Sequence, residues 1–404
     1  MNRSPVNKEA YAIPVMAIAA GVIVANVYYN QPILSQIGLA FHTTESKIGK
    51  MSMLAQLGYG LGMFFLLPLG DKVNRKKLII FTSILLSVAL IGTAYVKSLG
   101  LLLVLSFFTG LFSTPAQIIL PMAATLGKEN RGKNVGKVFS GILTGILGAR
   151  VLSGLITTYF GWQYVFIVSA VLVLIVIVLL HFFLPEVPIR FTGNYLSLIR
   201  STLQLVKEYK VLRQASLLGA FTFGVFCSFW TTLTFHLSMA PLHYSTAQIG
   251  LFGLIAIGGA LVAPVFGKAA DKGNVFKSLF FTVSLITASI ALIKLFPHSV
   301  FVLITGVFFL DIGVQATQIT NFTRIYALNE NAHSRLNTVY MTTYFIGAAT
   351  GTYFGLLSWK LGQWNLATWQ MIVWSLIALL IVYVSKRNSE PVESSMPSMP
   401  KAAA

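Results

Sequence analysis

The sequence predicts an all-α membrane protein of twelve transmembrane helices, and three observations carry that expectation. Of its 404 residues, 56% are hydrophobic and only 10% charged, with a mean hydropathy of +0.77, too apolar for a water-soluble domain. Apolar runs long enough to cross a hydrocarbon core of ~30 Å as helix recur along the whole chain. The 29 Lys and Arg residues are also unevenly placed. With both termini cytoplasmic, all but Lys47, Lys50, Lys97, Lys294, Lys360 and Arg150 fall on the cytoplasmic side, the positive-inside pattern that sets orientation. That distribution assigns the net charge of +18 to the membrane face rather than to nucleic acid.

In order, the runs centre on Tyr11 to Leu34, Ile48 to Leu69, Leu78 to Val96, Leu101 to Ala124, Val135 to Tyr159, Trp162 to Leu184, Ala215 to Met239, Ile249 to Gly267, Ser278 to Leu295, Val300 to Asn321, Thr338 to Trp359 and Leu366 to Val384. The first lacks a small-residue cleavage site and so reads as a span rather than a signal peptide. It carries Asn26-Val-Tyr28-Tyr29-Asn30-Gln31-Pro32. On a continuous helix Asn26, Tyr29 and Asn30 share a face, either as a binding wall or as tight packing around a Pro32 kink. The second adds Ser52, Gln56 and Tyr59, and the fourth Ser106, Thr109, Ser113 and Gln117, though such hydroxyls often bond back to their own helix. In the seventh, Cys227, Trp230, Thr231 and Thr234 share a face, with His236 nearer the outer end. As the single cysteine, Cys227 excludes an intrachain disulfide and a cysteine metal cluster.

Two charges lie deep in spans: Arg150 in the fifth and Asp311 in the tenth. An ionisable group near the bilayer centre costs at least ~2.5 kcal/mol and marks an ion or substrate path by default. Asp311, Gln315 and Gln318 fall at i, i+4 and i+7, with Asn321 three further on. The resulting stripe lines a path or cross-links helices. Arg150 pairs with Asp311, holds an anionic substrate group, or bonds to carbonyls within its own half. The eleventh span contributes Asn337, Tyr340 and Tyr344.

The Asp71-Lys72 and Asp271-Lys272 pairs stand at matching places after the second and eighth spans, and Arg131-Gly-Lys-Asn134 corresponds loosely to Arg335-Leu-Asn337. These repeats divide the chain into two six-span halves, 1–185 and 214–388. A basic amphipathic cytoplasmic linker, 186–213, joins them, and the chain ends in a disordered tail, 389–404.

The loop from Gly70 through Asp71, Arg75 and Lys76 to Lys77 resembles the signature that comes after the second span in the major facilitator superfamily, with Asn74 at its second Gly position. The resemblance implies the two-half major facilitator fold, with Gly70, Asp71, Arg75, Lys76, Asp271 and Arg335 as gating residues. Asp71 would face the start of span eleven, and Asp271 the start of span five. More finely, the chain resembles the drug:proton antiporter branch and a bacterial subset carrying Tyr29-Asn30-Gln31-Pro32. It departs from that branch at Ser106, where an Arg is usual, and at Arg150, which takes the Pro position of the span-five signature.

The expected protein is a secondary transporter in a bacterial inner membrane, working as a monomer without cofactor or metal. Asp311 would couple protons, and Asn26, Tyr29, Asn30, Gln56, Arg150, Trp230, Gln315, Gln318, Tyr340 and Tyr344 would bind a small-molecule substrate. Proton-coupled export of a drug or metabolite is what the resemblance implies. Uptake or facilitated diffusion of an organic anion stays open beside it, as does a non-transporting membrane sensor. An enzyme is not expected, because no nucleophile and base or metal-ligand set is present, and a phosphate-cradling loop for ATP is missing.

Overall fold

The computed structural model describes residues 8–123, 126, 131–186, 193–255, 275–329 and 332–387. The Asp271 pair, the expected eighth span beyond Ile255, residues 187–192 of the linker and the tail lie outside them. Within the described residues the chain is helical and contains no strand. A first set comprises α1 (Lys8–Ala25), α2 (Leu34–Ala40), α3 (Glu45–Ile48), α4 (Lys50–Lys72), α5 (Arg75–Tyr95), α6 (Leu99–Phe112), α7 (Pro115–Ala123), α8 (Arg131–Phe160) and α9 (Trp162–Phe183). After α10 (Tyr195–Glu208) comes a second set: α11 (Lys210–Ser238), α12 (Thr246–Ile255), α13 (Val275–Leu295), α14 (Val300–Tyr326) and α15 (His333–Arg387). Among the described residues, nine helical stretches are long and apolar enough to cross a membrane, with shorter apolar helices at Tyr11–Ala25 and Thr246–Ile255. Large apolar side chains such as Phe81, Val88, Val171 and Leu380 stand exposed along them, as lipid-facing residues do in a multi-pass membrane protein.

Two expected continuous spans are broken, each ahead of a proline, and a third break falls between two expected spans inside one long helix. The first span stops being α-helical at Ala25 and resumes at Leu34, with a 3-10 turn over Gln31–Ile33. Pro32 has no N–H to continue the ladder, and the Tyr28 carbonyl takes the Gln31 N–H at 3.2 Å instead. This corrects the expectation that Asn26, Tyr29 and Asn30 share a helical face. The fourth span divides at Ser113 and Thr114, just ahead of Pro115, where the proline ring disfavours helical backbone in the preceding residue. Helix α15 joins two expected spans, but its backbone leaves helical geometry at Gly362 and at Gln363, whose φ is 49°. Within the linker stretch α10 is amphipathic, and α11 begins at Lys210.

Helices cross most closely where a glycine removes the side chain. A Cβ at Gly110 of α6 would lie 1.9 Å from the Ala55 carbonyl oxygen of α4, and one at Gly351 of α15 would lie 2.3 Å from the Gly224 oxygen of α11. Small residues at such crossings supply van der Waals packing where lipid offers no hydrophobic drive. We call the end of the bundle carrying α2 and α3 the far end, and the end carrying the Gly70–Arg75 turn the near end. Gly110→Ala should destabilise the protein by about 1–3 kcal/mol through overpacking. Gly148→Ala, where a Cβ meets nothing within 4 Å, should be neutral or stabilising, so the two thermal midpoints in detergent should diverge.

Candidate functional site

Arg150 occupies the middle of α8 and is 1% exposed, the largest fully buried side chain described. Two close packings hold its backbone. Helix α8 crosses α1 at Gly141 and Gly145, and it meets α12 where a Cβ at Gly253 would approach the Arg150 Cβ to 2.9 Å. The unwound segment after α1 turns Gln31 inward, and Arg150 Nε donates to Gln31 Oε1 at 3.0 Å. The guanidinium carbon then lies 4.2 Å from the Trp230 ring centroid, 5.4 Å from Tyr28 and 5.7 Å from Phe226. Planar, weakly hydrated guanidinium suits such faces. Among the described residues both terminal nitrogens lack an acceptor. The arginine therefore bonds neither to carbonyls of its own set nor directly to Asp311.

Asp311, on α14, is 2% exposed, and its Oδ2 has no donor. The opposite face of α14 is spent on α13. Thr317 and Thr282 hydroxyls meet at 2.8 Å, and a Cβ at Gly313 would lie 2.8 Å from the Thr282 oxygen. Asp311 and Arg150 interact electrostatically, yet among the described residues the one ion pair is Arg75 with Asp71. Two buried opposite charges, one from each helix set, thus sense each other and retain unspent hydrogen-bonding capacity.

The other expected binding residues divide. Trp230, Tyr344 and Tyr340 belong to one aromatic run. Trp230 lies 6.2 Å from Phe226, Phe226 5.5 Å from Phe223, Phe223 stacks on Tyr344 at 3.9 Å, and Tyr344 lies 5.7 Å from Tyr340. Gln315 and Gln318 are half-buried on α14, and Gln318 reaches the Met341 sulfur at 3.8 Å. Asn321 leaves the expected stripe, since its Nδ2 donates to the Ala215 carbonyl at 3.3 Å and so ties α14 to α11. Asn26 is likewise occupied. Its amide donates to the Val22 and Ile23 carbonyls and accepts from Ser169 at 2.6 Å. Asn30 accepts from Ser52 at 2.6 Å, and Gln56 accepts from Thr352 at 2.8 Å. Tyr29 is buried. Residue type places Tyr28 and Gln31 in the polar and aromatic stretch of the first span without marking them as binding residues, and leaves Phe226 unmarked. Phe223, Phe226 and Trp230 fall at i, i+3 and i+7, a spacing that marks one helix face.

At the near end, Arg75 donates to the Gly70 carbonyl at 3.0 Å and to Asp71 at 2.6 Å. Asp71 therefore pairs along its own chain in this conformation, and no ion pair joins it to the described start of α15. Half-exposed Arg335 forms no ion pair with it, and Lys76 is half-buried. Asn74 caps α5 by accepting from the Lys77 N–H, a role that a second Gly there would forgo. Hydrogen bonds between the two helix sets, among the described residues, all fall between mid-depth and the far end. Ser35 meets Ser238 at 2.9 Å, Ser46 donates to the Leu356 carbonyl, Thr234 to the Gln31 carbonyl at 2.8 Å, Thr352 to Gln56, and the Ala247 N–H to Thr158.

A family model described as Major Facilitator Superfamily matches residues 16–352. An uncharacterized transporter of Escherichia coli O157:H7, YgaY, is 39% identical over 351 residues, covering 87% of this chain and 89% of that protein. A probable sugar efflux transporter of Helicobacter acinonychis is 23% identical over 350 residues, 84% of this chain and 86% of its own. Among solved structures, a bacterial homolog of the human lysosomal transporter Spinster, in an inward-facing and unoccupied conformation, superposes with a TM-score of 0.75 at 14% identity, covering 95% of this chain and 98% of that one.

A hydrogen bond to a charged group contributes about 1.5–3 kcal/mol. Gln31→Leu should therefore cost about that much against denaturant in a protein retaining Arg150. In an Arg150→Met background the same change should cost far less, and equal costs in the two backgrounds would show that Gln31 does not hold the arginine.

Proposed function

The chain belongs to the Major Facilitator Superfamily and is a membrane transporter, and on that premise we propose that it exports a small molecule by alternating access, driven by inward flow of protons. The observation that carries the reading is the pair of buried, mutually unbonded charges, Arg150 and Asp311, each supplied by a different helix set. In this reading the chain crosses a bacterial inner membrane twelve times, with both termini cytoplasmic. The two sets are halves that rock about a mid-depth site. The near end is then cytoplasmic and open, and the far end is closed by the hydroxyl and amide bonds between the sets. Arg150, Trp230, Tyr340 and Tyr344, with Gln315 and Gln318, bind substrate, and Asp311 carries the proton. Asn26, Asn30 and Gln56 shape the wall through their internal bonds. The name of the Helicobacter relative favours export, and the resemblance to drug:proton antiporters favours a drug or metabolite as cargo.

A second reading, uptake or facilitated diffusion of an organic anion, draws on the unspent guanidinium donors of Arg150. Flux of a broad compound panel into inside-out vesicles with an acidic lumen separates the readings. Antiport accumulates cargo in the lumen as protons leave, whereas a facilitator only equilibrates it. Absence of flux for every compound would point to a sensor. Under the antiport reading, Asp311→Asn should abolish gradient-driven accumulation while exchange of labelled for unlabelled substrate persists. Proton-driven accumulation surviving in that variant would remove Asp311 from the coupling role.

Gating has its own expectation. Asp71 would exchange Arg75 for the start of α15 when the cytoplasmic side closes, so Asp71→Asn should weaken the closed state by roughly 0.3–1 kcal/mol. Thiol labelling at the cytoplasmic mouth should then rise, and unchanged labelling would count against the exchange.

A further inference from the structure

A cavity of about 350 Å³ lies at the far end, within the second helix set, where the end of α11, the turn between α13 and α14, and the break in α15 come together. Among the described residues no acidic side chain lines it. Its floor holds His236 and Trp364, whose rings stack 4.2 Å apart and 9° from parallel. His236 donates from Nε2 to the Pro297 carbonyl at 2.8 Å, which fixes the ring and leaves Nδ1 uncommitted. Trp364 is 7% exposed, and its indole N–H has no acceptor among the described residues. At the rim stand His298, 5.7 Å from His236, and Lys294, which donates to the side chain and main-chain carbonyl of Asn365. Lys294 thus meets neutral acceptors and the Trp369 ring, 4.8 Å away, and among the described residues it has no counter-ion.

A buried donor without a partner costs free energy comparable to a lost hydrogen bond, and backbone held at positive φ, as at Gln363 beside Trp364, tends to gather at binding sites. The cavity is also separate from the central arginine. Fully buried Phe229 stands between, 6.1 Å from both the Trp230 and the Trp364 rings, and His236 lies about 9 Å further along α11 than Trp230.

We propose that this cavity is a second ligand site, which takes a small organic carboxylate entering from the far end. The carboxylate meets Lys294 and the Trp364 N–H, and its apolar body lies against the Trp359 and Pro297 side of the cavity. This assignment stands independently of whether Arg150 and Asp311 carry transport.

Benzoate titrated calorimetrically into the purified full-length protein at neutral pH tests it, with benzyl alcohol as the uncharged counterpart. Benzoate should bind and benzyl alcohol should not. Lys294→Gln should weaken benzoate binding about tenfold or more, Trp364→Phe should weaken it while keeping the stacked ring, and Arg150→Gln should leave it unchanged. Lys294 lies at the rim, so its substitution leaves the folded core intact. Loss of benzoate binding in Arg150→Gln, retention in Lys294→Gln, equal binding of benzyl alcohol, or no measurable binding would each overturn the proposal.

Discussion

A guanidinium has five N–H donors and stays charged, so carrying Arg150 at mid-depth sets requirements on everything around it. One donor goes to Gln31, and the flat cation lies on Trp230 with Tyr28 and Phe226 nearby. Gln31 reaches it only because the first span unwinds ahead of Pro32. Trp230 reaches it because α11 presents its aromatic face to the first helix set. Helix α12 in turn needs glycine at 253 to pass the arginine stem. The unwound segment, the near end of the aromatic run and the glycine crossing thus converge on one buried charge.

The contacts between the helix sets have a different character from those within them. Inside each set, helices interlock through glycine crossings and large buried side chains, and one such crossing, α8 on α12 at Gly154, Gly250 and Gly253, also joins the two sets. Between the sets, the hydrogen bonds are single hydroxyls or amides, each contributing about 1 kcal/mol net. Such bonds close the far end without committing it, and a few kcal/mol of differential ligand binding are enough to shift such an equilibrium. At the near end the Arg75–Asp71 pair is satisfied locally, and among the described residues no hydrogen bond there joins the two sets.

Residue chemistry made much of this legible. Hydropathy and loop charge gave the membrane class, the helical architecture and the outstanding positions of Arg150 and Asp311, because the cost of a charge in an apolar span depends on residue type and depth alone. Proline marked two of the three helix breaks. The Gly70–Lys77 loop carried the family resemblance, since a short turn needs particular residues at particular spacings.

Partners were another matter. Asn26, Asn30, Gln56 and Asn321 look as available as Gln31 in the sequence, yet their amides serve packing while Gln31 alone holds the arginine. Asp71 finds Arg75 four residues on, in place of a residue more than 250 positions away. Spacing along a helix says which side chains share a face. Which donor finds which acceptor depends on how far each helix unwinds and which glycine lets its neighbour approach. Composition and periodicity thus determined a helical membrane protein with two deep charges, the Gly70–Lys77 loop carried its family, and only the tertiary packing decided that those charges stay unbonded to each other, because Arg150 is turned onto Gln31 and the Trp230 ring.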